Sequence, residues 1–224
     1  VSAAIRPISI KKQIVKIDIP CMVLISVAFW LMCLDSDIDR IDGIILISML
    51  SGFLVYGLAT AKDKNGTTST AAVSVSVLTK NALFIILGIV MLAFGANFVV
   101  REAIQIASRI GLSQTFIGIS VVALGTSLPE LATSAVAAAK GESDISVGNV
   151  VGSNLFNICL VMGVVGLFNP MVVDSGLHLF QFPFMIFICI VLWATAFRFG
   201  RIGKLSGIIL ILLFIIYIIV SYMN

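Results

Sequence analysis

Hydrophobic residues fill 60% of the 224 positions and charged residues only 11%, and a mean hydropathy of +1.17 excludes an ordinary soluble domain. The bilayer is the solvent for most of this chain. A formal net charge of +3 calls for no nucleic-acid partner, because membrane insertion, with basic loops that meet anionic lipid, explains the excess.

The sequence begins at Val1 with no Met and no signal-like basic region before its first short apolar core, and so reads as a piece of a longer protein. Seven stretches are long and apolar enough to cross a bilayer, roughly 19–34, 43–61, 82–100, 114–139, 147–168, 179–197 and 205–222, against the about 20 residues a span requires. Lipid-exposed backbone must satisfy its own hydrogen bonds, and these runs lack the alternation of barrel strands, so an all-α membrane protein of about seven transmembrane helices is predicted.

An acidic loop, Asp35-Ser36-Asp37-Ile38-Asp39-Arg40-Ile41-Asp42, joins the first two spans. Residues 62–80 form a long polar connection whose Gly, Ser and Thr content suits a linker between halves. Within it, Asn65-Gly66-Thr67 matches a glycosylation acceptor but reads as a plain turn. From Asn81 to Ile110 the helical pattern continues for about 30 residues, or roughly 45 Å, so this helix must tilt or bend into the interface, with Arg101, Glu102 and Arg109 at its interfacial end. The last two spans carry no acid and read as scaffold. His178 reads as a solvated interfacial imidazole, and Trp30, Trp193 and Tyr222 as interfacial anchors. Cys21, Cys33, Cys159 and Cys189 lie in apolar segments without a C-x-x-C pair and read as packing residues.

When loops alternate between two sides, one side takes Arg6, Lys11, Lys12, Lys16, Lys62, Lys64, Lys80, Lys140, Arg198, Arg201 and Lys204, and the other only Arg40, Arg101 and Arg109. The first side is predicted to be cytoplasmic, which puts the N-terminal end inside and Asn224 outside a multi-pass cell (inner) membrane protein.

Of the eleven carboxylates, only Glu130 lies deep in a span. Counting back from Lys140 at about 1.5 Å per residue gives roughly 15 Å, half of a hydrocarbon core of about 30 Å. An acid at the midplane is costly and must face protein or a watery cavity, which makes it a functional residue by default. The plain alternative is a protonated Glu that only pins helices together. Pro129 has no N–H and clashes with the carbonyl a turn earlier, which predicts a helix break near Ala123 to Gly125 with carbonyl oxygens released. Thr126 and Ser127 add hydroxyls on the face of Glu130, and Ala123 lies a further turn back. A carboxylate, two hydroxyls and freed carbonyls make a hard-oxygen set suited to Na⁺ or Ca²⁺.

The next span offers Gly148-Asn149-Val150-Val151-Gly152-Ser153-Asn154-Leu155-Phe156-Asn157, with Ser153 and Asn157 four apart on one face. Counting from Asp144, Ser153 lies at about 14 Å, the depth reached for Glu130. Gly148 and Gly152 are spaced to permit close helix approach, and Asn149 reads either as part of this constellation or as a simple interhelical hydrogen bonder.

Together, Thr115-Phe116-Ile117-Gly118, Val121 through Glu130, and Gly148 through Asn157 resemble the second α-repeat of the cation/Ca²⁺ exchanger superfamily, the Na⁺/Ca²⁺ exchangers, most closely its bacterial K⁺-dependent-like branch. The resemblance implies a metal site of Glu130, Thr126, Ser127, Ala123, Ser153 and Asn157, where Asn157 stands at a position that many members fill with Asp. It implies no enzyme chemistry and no resident cofactor, since transported Ca²⁺ and Na⁺ are the ligands. It also implies two inverted repeats, of which one is found here: 1–61 would be two transmembrane helices closing the first half, 62–80 a cytoplasmic linker, and 81–224 a second repeat of five helices. The expected function is antiport of Na⁺ for Ca²⁺, with K⁺ or H⁺ as further candidate ions, membrane lipid as surroundings and the missing N-terminal repeat as partner. Two other readings stand beside it: a Ca²⁺/H⁺ antiporter using the same residues, and a truncated non-transporting membrane subunit.

Overall fold

The computed structural model describes residues 1–64 and 75–223, with side chains placed for all of these except 61–64, 75–78, Thr115, Ile119 and Met223. The Asn65-Gly66-Thr67 acceptor and the middle of the 62–80 linker lie outside the described residues. The main helices are α1 (Ile14–Asp35), α2 (Arg40–Lys64), α3 (Val75–Arg109), α4 (114–126), α5 (Leu128–Lys140), α6 (Ser143–Phe168), α7 (Gln181–Phe199) and α8 (Lys204–Met223). By length and composition six stretches can cross a membrane, and α4 with α5, bent by 50° at their junction, can form a seventh, broken span. The predicted spans all have counterparts. Helix α3 starts earlier than the pattern suggested, and α2 and α3 run into the linker from either side.

By contacts the chain divides into two compact units, Val1–Lys62 with Thr133–Leu213, and Asp63–Ala132 with Phe214–Asn224. In the first unit α1 is central. Ile19, Met22 and Ile25 recur every third residue and are at most 2% exposed, and they share a core with Leu46 and Leu50 of α2, Val147, Val151 and Leu155 of α6, and Phe182 of α7. Lipid tails are as apolar as these side chains, so close packing and interhelical hydrogen bonds hold such a bundle rather than escape from water. At one crossing the backbones nearly touch: a methyl built on Gly43 would lie 2.6 Å from the Gly163 carbonyl oxygen, and one on Gly166 would lie 2.7 Å from that of Asp39. Gly148 and Gly152, the pair singled out by spacing, make no such approach, because a methyl on either meets nothing within 4 Å among the described residues.

The two Trp residues act as fasteners rather than as interfacial anchors alone. Trp193 Nε1 donates to the Val15 carbonyl at 3.0 Å, within the wide-turned start of α1, and Trp30 Nε1 donates to His178 Nδ1 at 3.2 Å. The His178 ring also stacks on Phe182 with centroids 5.4 Å apart, and its Nε2 is buried, so it is a packed imidazole and not the solvated one expected. All four cysteines are free thiols, and Cys33 and Cys159 are fully buried.

Two short antiparallel ribbons, which the hydrophobic pattern did not announce, tie opposite ends of this unit. Strand β1 (Ile8–Ser9) pairs with β4 (Arg201–Ile202), and β2 (Asp37–Ile38) pairs with β3 (Met171–Val172). The first ribbon puts the segment before α1 beside the α7–α8 turn. Lys11 also meets Asp144 at 2.5 Å, and Arg6 Nη1 donates to the Ala139 carbonyl at 3.3 Å, so Arg6, Lys11, Lys140, Arg198, Arg201 and Lys204 gather at one end. The acidic loop lies at the other. Those six basic residues are among the eleven Lys and Arg residues that the sequence assigns to one side.

In the second unit, α3 packs on α4. Gly111, at φ +81°, ends α3, and Ser113 caps α4 by accepting the Phe116 N–H at 3.1 Å. Phe116 meets Tyr222 of α8 edge to face with centroids 4.9 Å apart. Gly125 is buried against Val100 of α3, where a side chain would collide with the Val100 methyl.

Candidate functional site

The break that carries the site is local chemistry. Pro129 cannot donate to the Gly125 carbonyl, and its ring crowds the carbonyls a turn earlier. The helix gives way at Ser127, with φ −91° and ψ 3°, two residues beyond the stretch Ala123 to Gly125 predicted from sequence. The Ser127 N–H turns to the Leu124 carbonyl at 3.2 Å, three residues back, rather than to Ala123, four back. The Ala123 carbonyl instead takes both hydroxyls, Thr126 Oγ1 at 3.1 Å and Ser127 Oγ at 3.2 Å. Three of the proposed ligands are thus brought together around one oxygen.

Glu130 sits in the first turn of α5, just past the break. One of its oxygens, Oε2, is buried, and the carboxylate as a whole is engaged. The two broken ends have opposite polarity: the carbonyl end of α4 favours a cation and the N–H end of α5 an anion. That arrangement draws a carboxylate and a cation to one place, and it was not part of the sequence argument.

Ser153 and Asn157 belong to the other compact unit. There the Ser153 hydroxyl donates to the Val150 carbonyl at 3.1 Å, the Asn154 amide donates to the same carbonyl at 2.9 Å, and Asn157 is exposed. Asn157 is the second residue of a wide-turned stretch, Phe156–Met162, and a similar one, Ile117–Val122, leads into Ala123. Such π turns add a residue to the helix circumference and cluster at functional positions. No residue type signals them, and sequence reasoning missed both. Asn149 proves to be an interhelical hydrogen bonder, donating to Ser134 Oγ at 2.9 Å. Among the described residues no group of three His, Cys, Asp or Glu is placed to hold a metal ion, so cation ligation here would rest on hydroxyl and carbonyl oxygens around a single acid.

A helical membrane bundle with one span broken beside an acid has the construction of a secondary transporter. The family model for "Sodium/calcium exchanger protein" matches residues 80–223, more than half of the chain. The chain therefore belongs to the sodium/calcium exchanger family, a family of membrane antiporters rather than catalytic enzymes. It is 30% identical to the inner membrane protein YrbG of Escherichia coli, over 99% of this chain and 71% of that protein. It is 37% identical to the sodium/calcium exchanger MaX1 of Methanosarcina acetivorans, over 64% of this chain and 41% of that protein. Solved structures of the sodium-calcium exchanger NCX_Mj share the fold, and one soaked with Na⁺ and Sr²⁺ superposes with a TM-score of 0.77 at 30% identity, over 97% of this chain and 69% of that one.

Proposed function

We propose that this chain takes part in exchange of Na⁺ for Ca²⁺ across the cell membrane, through a midplane site to which Glu130, Thr126, Ser127, the Ala123 carbonyl, Ser153 and Asn157 contribute. The observation that carries this reading is the break at Ser127, where two hydroxyls converge on the Ala123 carbonyl ahead of an acid at a helix N-terminus. Within these 224 residues the Gly-Thr-Ser-Leu-Pro-Glu motif occurs once, so the site gains at most one negative charge from it. A second acid, supplied by a matching repeat outside these residues, would balance one Ca²⁺ and let Na⁺ compete for the same oxygens. The end bearing Arg6, Lys11 and Lys140 faces the cytoplasm in this reading, in keeping with the excess of Lys and Arg there. With Asn157 where many members have Asp, the site carries one negative charge fewer, which bears on both ion stoichiometry and K⁺ dependence.

The test is Ca²⁺ uptake into vesicles holding the protein expressed from its whole gene, driven by an outward Na⁺ gradient. Uptake that follows the Na⁺ gradient and is abolished by Glu130→Gln supports the proposal. Uptake driven by a pH gradient alone would turn the assignment to Ca²⁺/H⁺ exchange, and no uptake under either gradient would leave a non-transporting subunit.

A further inference from the structure

We propose that Ser134, Ser146 and Asn149 form a polar clasp that fixes the axial register of α5 against α6 and so positions the proposed ion ligands, an inference that rests on the exchange reading above. Ser134 and Ser146 are 1% and 0% exposed. Ser146 Oγ donates to the Ser134 carbonyl at 2.9 Å, and Asn149 Nδ2 donates to Ser134 Oγ at 2.9 Å. One residue of α5 therefore takes two hydrogen bonds from α6, one on its backbone and one on its side chain. Because the two donors sit three positions apart on α6, a slip by one turn, about 5.4 Å, would lose both.

The direction of the Ser146 bond is informative. Ser26, Ser48, Ser51 and Thr195 each donate to the carbonyl four residues back on their own helix, the usual refuge of a hydroxyl in an apolar helix. Ser146 sends its proton to the neighbouring helix instead. Gly148 and Gly152 make no tight approach of their own, since a methyl on either meets nothing within 4 Å among the described residues. At the tip of the hairpin, Gly141 at φ +87° closes the turn, with its N–H on the Ala138 carbonyl at 3.0 Å and the Glu142 N–H on that of Ala137 at 2.8 Å. From that tip the clasp lies seven residues back on α5 and five residues on along α6. It lies one turn from a proposed ligand on each helix, Glu130 being four residues before Ser134 and Ser153 four after Asn149, about 6 Å along either axis.

Ser134, Ser146 and Asn149 touch no ion in this scheme; they are positioning residues. The experiment is the Ca²⁺ dependence of Na⁺-driven uptake by the protein expressed from its whole gene, for Ser134→Ala, Asn149→Ala, the double variant and Ser134→Thr, which keeps the hydroxyl. Interhelical hydrogen bonds in membranes have measured strengths that convert to a rise of about 3- to 20-fold in half-saturating Ca²⁺ for either alanine variant. The maximal rate per protein should stay within about twofold, the double variant should be no worse than a single one, and Ser134→Thr should resemble wild type. If Ser134→Ala does not reach the membrane, Ser146→Ala is read in the same way. Unchanged half-saturation with less protein in the membrane, or additive effects in the double variant, overturns the clasp. Glu130→Gln run in parallel separates the two ideas: if it abolishes uptake while Ser134→Ala leaves half-saturation untouched, only the clasp fails. If Glu130→Gln transports normally, or the intact protein takes up no Ca²⁺, the exchange reading fails and the clasp's role with it.

Discussion

Replacing Gly43 by Ala tests the closest backbone approach in the first unit. The new methyl would sit 2.6 Å from the Gly163 carbonyl oxygen and 2.7 Å from the Leu167 nitrogen, where ordinary contact begins at 3.4 Å. Neither atom belongs to a side chain that can swing away, so α2 and α6 must part by about 0.8 Å at the crossing, a gap that forfeits a quarter to a half of the dispersion well for atom pairs facing it. Overpacking of this kind costs about 1–3 kcal/mol, offset by about 1 kcal/mol from the better helix propensity of Ala. Gly148→Ala gains the same propensity and meets no atom within 4 Å. The two variants should therefore differ by about 2 kcal/mol, which for a chain of this size separates their unfolding midpoints by roughly 4–8 °C. Thermal unfolding of purified protein in mild detergent reads the difference. Equal midpoints, or a Gly43→Ala protein more stable than wild type, would refute the account of the α2–α6 crossing.

Other expectations follow from single contacts. Pro129→Ala restores a donor to the Gly125 carbonyl and lets the helix straighten through Ser127, so Na⁺-driven uptake should fall at least about tenfold while the protein remains as stable as wild type or more so. Trp193→Phe removes the bond to the Val15 carbonyl and should lower stability by about 1 kcal/mol without changing ion preference, as read by unfolding and uptake on one preparation. Lys11→Ala should leave the unfolding midpoint unchanged, because its ion pair with Asp144 joins side chains that are 73% and 43% exposed.

The spans were legible because a membrane helix must be both long and apolar, and no tertiary contact can disguise that. The break was legible for a sharper reason. Pro129 removes one specific donor, and the hydroxyls of Thr126 and Ser127 could only bond nearby. Its position was read slightly early, since the clash of the proline ring was taken to act on the carbonyls a turn back, whereas the backbone changes at Ser127, two residues before the ring. Which glycines pack could not be read. Gly148 and Gly152 have the favoured spacing, yet Gly43, Gly163 and Gly166 make the close crossing, and that depends on which helix arrives opposite. The ribbons escaped notice because two-residue strands such as Asp37–Ile38 are too short to show alternation. His178 looked like a surface group because nothing near it in sequence reveals that Trp30, 148 positions away, supplies its hydrogen bond.

The ribbons bear on biogenesis. Ile8 pairs with Ile202 and Ile38 with Met171, so each tie joins one stretch to another synthesised more than 130 residues later. The α7 residues that pack on α1 leave the ribosome only after residues 63–132, which belong to the other compact unit, have been made. Contacts this distant in the chain form slowly. The interval leaves the edges of β1 and β2 open to other chains, which makes it the stage at which an insertase or chaperone has the most to protect.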